Sequence, residues 1–331
     1  VKTKNKTLQL EPTQQLLLEA CLLPGELAVK PWQQWLQQVN IDTLEPSSYY
    51  LLSLLYRNLS GQQIQDPELP RLKGVFRRHW TYNQVLLKTT AFLLEQLQAA
   101  GVDVIVVGDL VWFTQGYKEE KQRPSLGLDW LVPEFETSRD ILKHQGWNLV
   151  SEGANGESQT WQQPEKTRLT LHKHLFFALP QRYTDQQVWE NSVITEIAGV
   201  RVRRLSLTDQ LLVTSRQTMV RQGKSRRRLL IGLVDGFKLL QMAATELDWI
   251  RLVQQAQRYE TILPLRTVLG FLQENFAIQM PDWVLPSLFK MPISHYELLT
   301  YDLRYEPFPL KIKGVLMRQI RAYQSLLNTQ K

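Results

Sequence analysis

Two stretches decide the fold: Val102-Asp103-Val104-Ile105-Val106-Val107-Gly108-Asp109 and Arg123-Pro124-Ser125-Leu126-Gly127-Leu128-Asp129-Trp130-Leu131-Val132. In the first, a short β-branched run lies between a helical pattern and a glycine, which predicts a buried strand over 102–107. The second carries an apolar run over 128–132, which predicts another strand. A helix from Asp109 to about Gly116 and a polar loop are expected between them. Further strands are expected at 159–163, 168–173 and 200–204, with turns at 153–156 and 163–165 where Gly and Pro punctuate the chain.

On the N-terminal side the periodicity is helical. Leu16, Leu17, Leu18, Leu22 and Leu23 begin it, and Trp32, Trp35, Leu36 and Val39 continue it at three- and four-residue spacing. Ser47-Ser48 are candidate caps for the next helix. A long helix over 69–100 follows, with Val75, Phe76, Trp80, Leu86, Leu87, Leu93, Leu94 and Leu97 on its apolar side and Gly101 placed to stop it. On the C-terminal side the pattern is helical from Leu207 to about 274, then broken by prolines, then helical again over 310–327. The expected fold class is α+β: a small mixed sheet flanked by helical regions, divided as 1–100, 101–205 and 206–331.

Length and composition bound the possibilities. The 331 residues suit one large domain or two fused units. The single cysteine, Cys21, excludes an internal disulfide and a zinc site built on CxxC pairs. No apolar run approaches the 18 or so residues of a membrane span. The basic start, Val1 to Lys6, leads into a Gln-rich helical stretch rather than an apolar core with a small-residue cleavage site. These features lead us to expect a soluble, cytoplasmic protein. A net charge of +7 favours an anionic partner without identifying one.

In order and spacing, several segments resemble the uncharacterised nucleotidyltransferase family, a branch of the polymerase-β-like superfamily. That family pairs a strand ending in Lys-Gly with an Arg-Pro-x-x-Asp-h-Asp-h-Leu-Val stretch (h, apolar) and an acidic-Leu-His strand. Here those places read Val107-Gly108, Arg123 to Val132 as quoted above, and Thr170-Leu171-His172. Flanking segments are similar too: Leu22-Leu23-Pro24-Gly25, Leu54-Leu55-Tyr56-Arg57-Asn58-Leu59, Leu205 to Leu212, Leu233-Val234-Asp235 and Asp248-Trp249.

The resemblance implies a metal site. Carboxylates at i and i+2 on one strand share a face, and with a third from a neighbouring strand they would hold magnesium ions bridging a nucleoside triphosphate and the attacking group. In this chain the first position is Gly127 and the third is Thr170, so only Asp129 remains; Val107 replaces the lysine. The implied site residues are therefore Asp129 (metal), His172 (either a remnant of the site or a buried structural histidine), Gly108, and Arg123. Arg123 either meets phosphate or pairs with a carboxylate. Asp109 is expected to cap the helix after Gly108, against a triphosphate. Thr170, His172 and His174 fall on one strand face if the strand runs that far, and with Asp129 the two histidines would make a two-His, one-carboxylate site. Separately, Arg201, Arg203, Arg204, Arg216, Arg221, Lys224, Arg226, Arg227 and Arg228 are opposed only by Asp209 in that stretch. They form either a solvated surface or an anion-binding face for nucleic acid, nucleotide or an acidic protein. Within that face, Arg221, Lys224, Arg226, Arg227 and Arg228 are the expected anion-binding patch.

These residues lead us to expect a nucleotidyltransferase-like protein whose catalysis is degenerate and whose role is binding or scaffolding. The alternative is an active nucleotidyl or phosphoryl transferase using magnesium, a nucleoside triphosphate, Asp129 and non-standard carboxylates drawn from Asp103, Asp109, Glu119, Glu120 and Glu152.

Overall fold

The computed structural model describes residues 8–62, 64, 66–112, 123–133, 135–153, 156–164, 167–176, 185–220, 228–243 and 245–301. Helices precede, interrupt and follow a seven-stranded mixed sheet, which is the α+β architecture read from the sequence.

Four helices come first: α1 (Pro12–Leu22), α2 (Val29–Leu36), α3 (Pro46–Ser60) and α4 (Leu69–Ala99). Helix α1 starts with Pro12 and a reciprocal Glu11/Gln14 cap, which satisfies backbone donors that a helix start leaves open. Glu45, not Ser47 or Ser48, caps α3: its carboxylate accepts the N–H groups of both serines. Ser47 instead accepts the Leu230 N–H at 3.1 Å, tying the start of α3 to a C-terminal helix. Helix α4 is about 45 Å long at 1.5 Å per residue and ends just before Gly101, whose φ of +75° suits a C-terminal glycine.

The strands are β1 (Ile105–Val107), β2 (Leu128–Leu131), β3 (Asn148–Glu152), β4 (Ser158–Gln162), β5 (Arg168–His172), β6 (Val193–Ile197) and β7 (Val200–Arg204). They lie in the order β3-β4-β5-β2-β1-β7-β6. Strand β1 is shorter than the apolar run that announces it: Val102 and Val104 are buried without joining the ladder. The sequence reading missed β3 and β6, the two edge strands. Every residue of β3 is exposed, so no buried face imposes an apolar alternation on it.

Alternation along the inner strands separates two cores. Val106, Leu128, Trp130, Leu169 and Leu171 pack with Leu86 to Leu97 of α4 and with Leu142 of α5 (Glu136–His144). Ile105, Val107 and Leu131 belong to the larger core, which also takes in α1 to α3 and the C-terminal helices. Those are α7 (Leu207–Met219), α8 (Leu229–Ala243), α9 (Trp249–Arg258), α10 (Ile262–Phe276), α11 (Val284–Lys290) and α12 (His295–Thr300), preceded by the short α6 (Gln186–Glu190). The expected helix over 310–327 lies outside the described residues. Among those described, no helix is long and apolar enough to cross a membrane.

Candidate functional site

Asp129 shares its strand face with Leu131, so it points to the side covered by the larger core. It sits near the start of β2, and its side chain is 17% exposed. Strand β5 runs parallel to β2 with Asp129 opposite Thr170. His172, two residues on, reaches back so that its Nε2 lies 3.2 Å from Asp129 Oδ1. Strand β1 runs antiparallel on the other side, with Val107 opposite Asp129. The turn after it brings Gly108 against the carboxylate, where a Cβ would lie 3.1 Å from Asp129 Oδ2. Gly108 also has φ +75°, so both its backbone and its close approach ask for glycine.

Behind Asp129 lies a cluster of charges. Arg123 is 1% exposed and binds Asp235 through two parallel bonds, Nε to Oδ1 at 2.7 Å and Nη2 to Oδ2 at 2.6 Å. The same Nη2 donates to Asp109 Oδ1 at 2.8 Å, and Nη1 donates to the Pro124 carbonyl. Of the two roles open to Arg123, the geometry supports pairing with carboxylates; contact with a phosphate is opposed by burial.

Asp109 does not cap a helix. The residue before the short 3-10 turn over Gly108–Val111 is Val107, and no side chain caps it. The Asp109 carboxylate turns inward, where Oδ1 accepts from both Arg123 and Arg228 and Oδ2 accepts the Leu126 N–H at 2.5 Å. Burial pushes the Asp109 carboxyl up, but the two guanidiniums and the Leu126 N–H outweigh it and bring it down to about 2. Asp109 is therefore a buried anion at neutral pH.

Arg228 was expected on an anion-binding face, yet it belongs to this cluster. Its side chain is 16% exposed, with Nη1 2.9 Å from Asp109 Oδ1 and Nη2 3.6 Å from Asp129 Oδ2. Burial works against its charge, but Asp109 and Asp129 raise its pKa above the ordinary arginine value. Arg221, Lys224, Arg226 and Arg227 lie outside the described residues. Asp209 is buried, and both its oxygens meet Arg251 Nη2 at 2.6 Å.

The two-His, one-carboxylate arrangement does not form. Strand β5 ends at His172, and His174 turns away to Asp185, 3.0 Å from its Nδ1, and Glu157, 3.5 Å from its Nε2. No group of three or more His, Cys, Asp or Glu placed to hold a metal occurs among the described residues. Thr170 Oγ1 instead lies 3.4 Å from Thr160 Oγ1, a pair of neutral hydroxyls. At Gly127 the backbone has φ +153°, a conformation that L side chains rarely adopt. Glu152 accepts from Gln159, and Glu119 and Glu120 lie outside the described residues.

Among the described residues, the site thus brings together the Asp129–His172 pair, the Thr170 hydroxyl and the Arg228 guanidinium. Sequence reading missed the pairing roles of Asp235 and Arg228. A faint signal existed for Asp235: a lone carboxylate in the apolar run Leu229-Leu230-Ile231-Gly232-Leu233-Val234-Asp235 demands a buried cation.

A family model described as an uncharacterised nucleotidyltransferase matches residues 32–277. Among solved structures, this chain is similar to a crystal structure of an antigenic nucleotidyltransferase-like protein from Paracoccidioides brasiliensis. The two are 17% identical with a TM-score of 0.39, and the match covers 64% of this chain and 95% of that one. No curated protein matches. The model spans well over half the chain, including the strands that carry Asp129 and His172 and the helix that carries Asp235, so this protein belongs to the uncharacterised nucleotidyltransferase family.

Proposed function

We propose that this chain is a catalytically degenerate nucleotidyltransferase-fold protein that serves as a binding or scaffolding protein for an anionic partner. One observation carries the reading: Asp129 is the sole carboxylate left at the three positions where the family places them, and its two oxygens face His172 and Arg228. Two-metal transfer needs anionic ligands that hold both ions about 4 Å apart. Here a glycine with a backbone suited to glycine and a threonine bonded to another threonine take the other two places.

In this reading region 101–205 keeps the family's core, and 1–100 and 206–331 are the helical regions before and after it. The anionic partner (nucleic acid, nucleotide or acidic protein) meets the basic segment of Arg221, Lys224, Arg226 and Arg227 in the cytoplasm. The alternative, an active transferase, draws support from Asp109, which shares the Arg228 guanidinium with Asp129. It ranks second because both Asp109 oxygens already accept bonds from within the chain.

The experiment is a labelled-nucleotide transfer assay on the wild type and Asp129→Ala with magnesium and each nucleoside triphosphate, run beside retention of both proteins on a single-stranded oligonucleotide in rising salt. We expect no transfer from either protein and retention that falls steeply with salt, as counterion release requires. Robust labelling that disappears in Asp129→Ala would overturn the degenerate reading. Salt-independent retention would overturn the anionic partner.

A further inference from the structure

The family's metal does not fit the residues of this site. Between the Asp109 and Asp129 carboxylates stands a guanidinium, with Nη1 2.9 Å from Asp109 Oδ1 and Nη2 3.6 Å from Asp129 Oδ2. We infer that Arg228 is the site's own cation, occupying the space beside the Asp129 carboxylate and keeping divalent ions out. The inference deepens the reading of a site without two-metal chemistry and rests on it.

Three features hold the guanidinium there. Arg228 immediately precedes α8, whose first turn is pinned to α3 by the Leu230 N–H bond to Ser47. Its Nη1 also meets Gln217 Oε1 of α7 at 3.4 Å, so two C-terminal helices position the fork. Gly108 lets the Asp129 carboxylate lie against the backbone next to Asp109, which brings the two anions within the span of one planar cation. A guanidinium stays charged throughout the physiological range, so this substitute does not titrate away. A magnesium ion approaching the same oxygens would meet a fixed like charge at hydrogen-bonding distance and would have to shed water to do so. Arg123 already donates to Asp109 Oδ1 through Nη2, while Asp235 fixes its Nε and Nη2 in place.

The same geometry implies a latent metal site. Removing the Arg228 guanidinium leaves Asp129 Oδ2 without that cation, next to an Asp109 Oδ1 that keeps its bond from Arg123, and a hydrated divalent ion can take the vacated place.

The test uses Mn²⁺ as probe, with binding followed by electron paramagnetic resonance and calorimetry on the wild type, Arg228→Ala, Arg228→Gln and Arg228→Lys. The wild type and Arg228→Lys, which keeps a positive charge, should show no specific Mn²⁺ site. Arg228→Ala and Arg228→Gln should bind one Mn²⁺ at least about tenfold more tightly than the wild type. Magnesium should displace it, Asp129→Asn added to either variant should abolish it, and Mn²⁺ should raise the melting temperature of these two variants alone. Wild-type affinity equal to that of Arg228→Ala would overturn the inference. So would a folded Arg228→Gln that gains no Mn²⁺. If Arg228→Ala does not fold, Arg228→Gln and the wild type still decide. Nucleotide transfer by the wild type would instead strike the degenerate reading, so the two failures are distinguishable.

Discussion

Gly127 shows how backbone conformation constrains a single position. In the sequence resemblance it takes the place of a strand carboxylate, and its φ of +153° lies in a region that a Cβ makes costly. Space is not the obstacle, since a Cβ there would sit 3.5 Å from the Arg168 carbonyl oxygen. The obstacle is the backbone itself. Gly127→Ala should therefore destabilise the protein by about 1–3 kcal/mol in urea denaturation, and Gly127→Asp by at least as much, without restoring a metal ligand. A neutral Gly127→Ala would mean that this backbone relaxes readily and that the first carboxylate could be put back. Asp109 is a second case. Its sequence context, an acidic residue after a strand and a glycine, suits a helix cap, but the guanidiniums behind it and the Leu126 N–H explain why it turns inward.

At the scale of elements, α3 and α4 are joined by a polar contact in an otherwise apolar seam. Ser53 Oγ lies 2.5 Å from His79 Nδ1, and the rings of Tyr49 and Tyr50 pack on the imidazole. Burial, with a smaller contribution from Arg78, lowers the His79 pKa to about 4. An unfolded histidine titrates near 6.5, so below that pH the unfolded chain takes up a proton that the folded one refuses. The neutral, buried His79 therefore leaves stability untouched above about pH 6.5, and stability falls as the pH drops toward 4 before levelling. The full effect is on the order of 3 kcal/mol. His79→Gln should flatten the pH dependence of unfolding free energy between pH 7 and 5. Parallel profiles for wild type and variant would show that another group carries the acid sensitivity. The α4 boundaries were legible because a helix of 31 residues repeats its apolar face many times. The exposed edge strand β3 offered no such repetition.

Across the whole molecule, the Arg123–Asp235 pair joins residues 112 apart in sequence, fastening the segment before β2 to the middle of α8. Both side chains are almost wholly buried, so each needs the other. Asp235→Ala or Arg123→Ala alone should cost about 3–5 kcal/mol, because the remaining charge is buried without its main partner. Replacing both by apolar residues, Arg123→Met with Asp235→Leu, should cost less than the two single changes added together. A double-mutant cycle in urea reads this directly, and additive costs would show that the pair is not coupled. The sequence alone determined the flanking helical regions and the inner strands, because apolar periodicity is local and repeats, but not the short helices over Glu136–His144 and Gln186–Glu190. It also fixed which residues stand at 127 and 170, because residue identity needs no coordinates. The tertiary structure decided which charges meet. Arg228 could be read as a surface cation and Arg123 as a phosphate ligand until the fold placed Asp109, Asp129 and Asp235 around them. Pairing depends on distance through space between segments far apart in the chain, and buried charges take whichever partner the packing brings within reach.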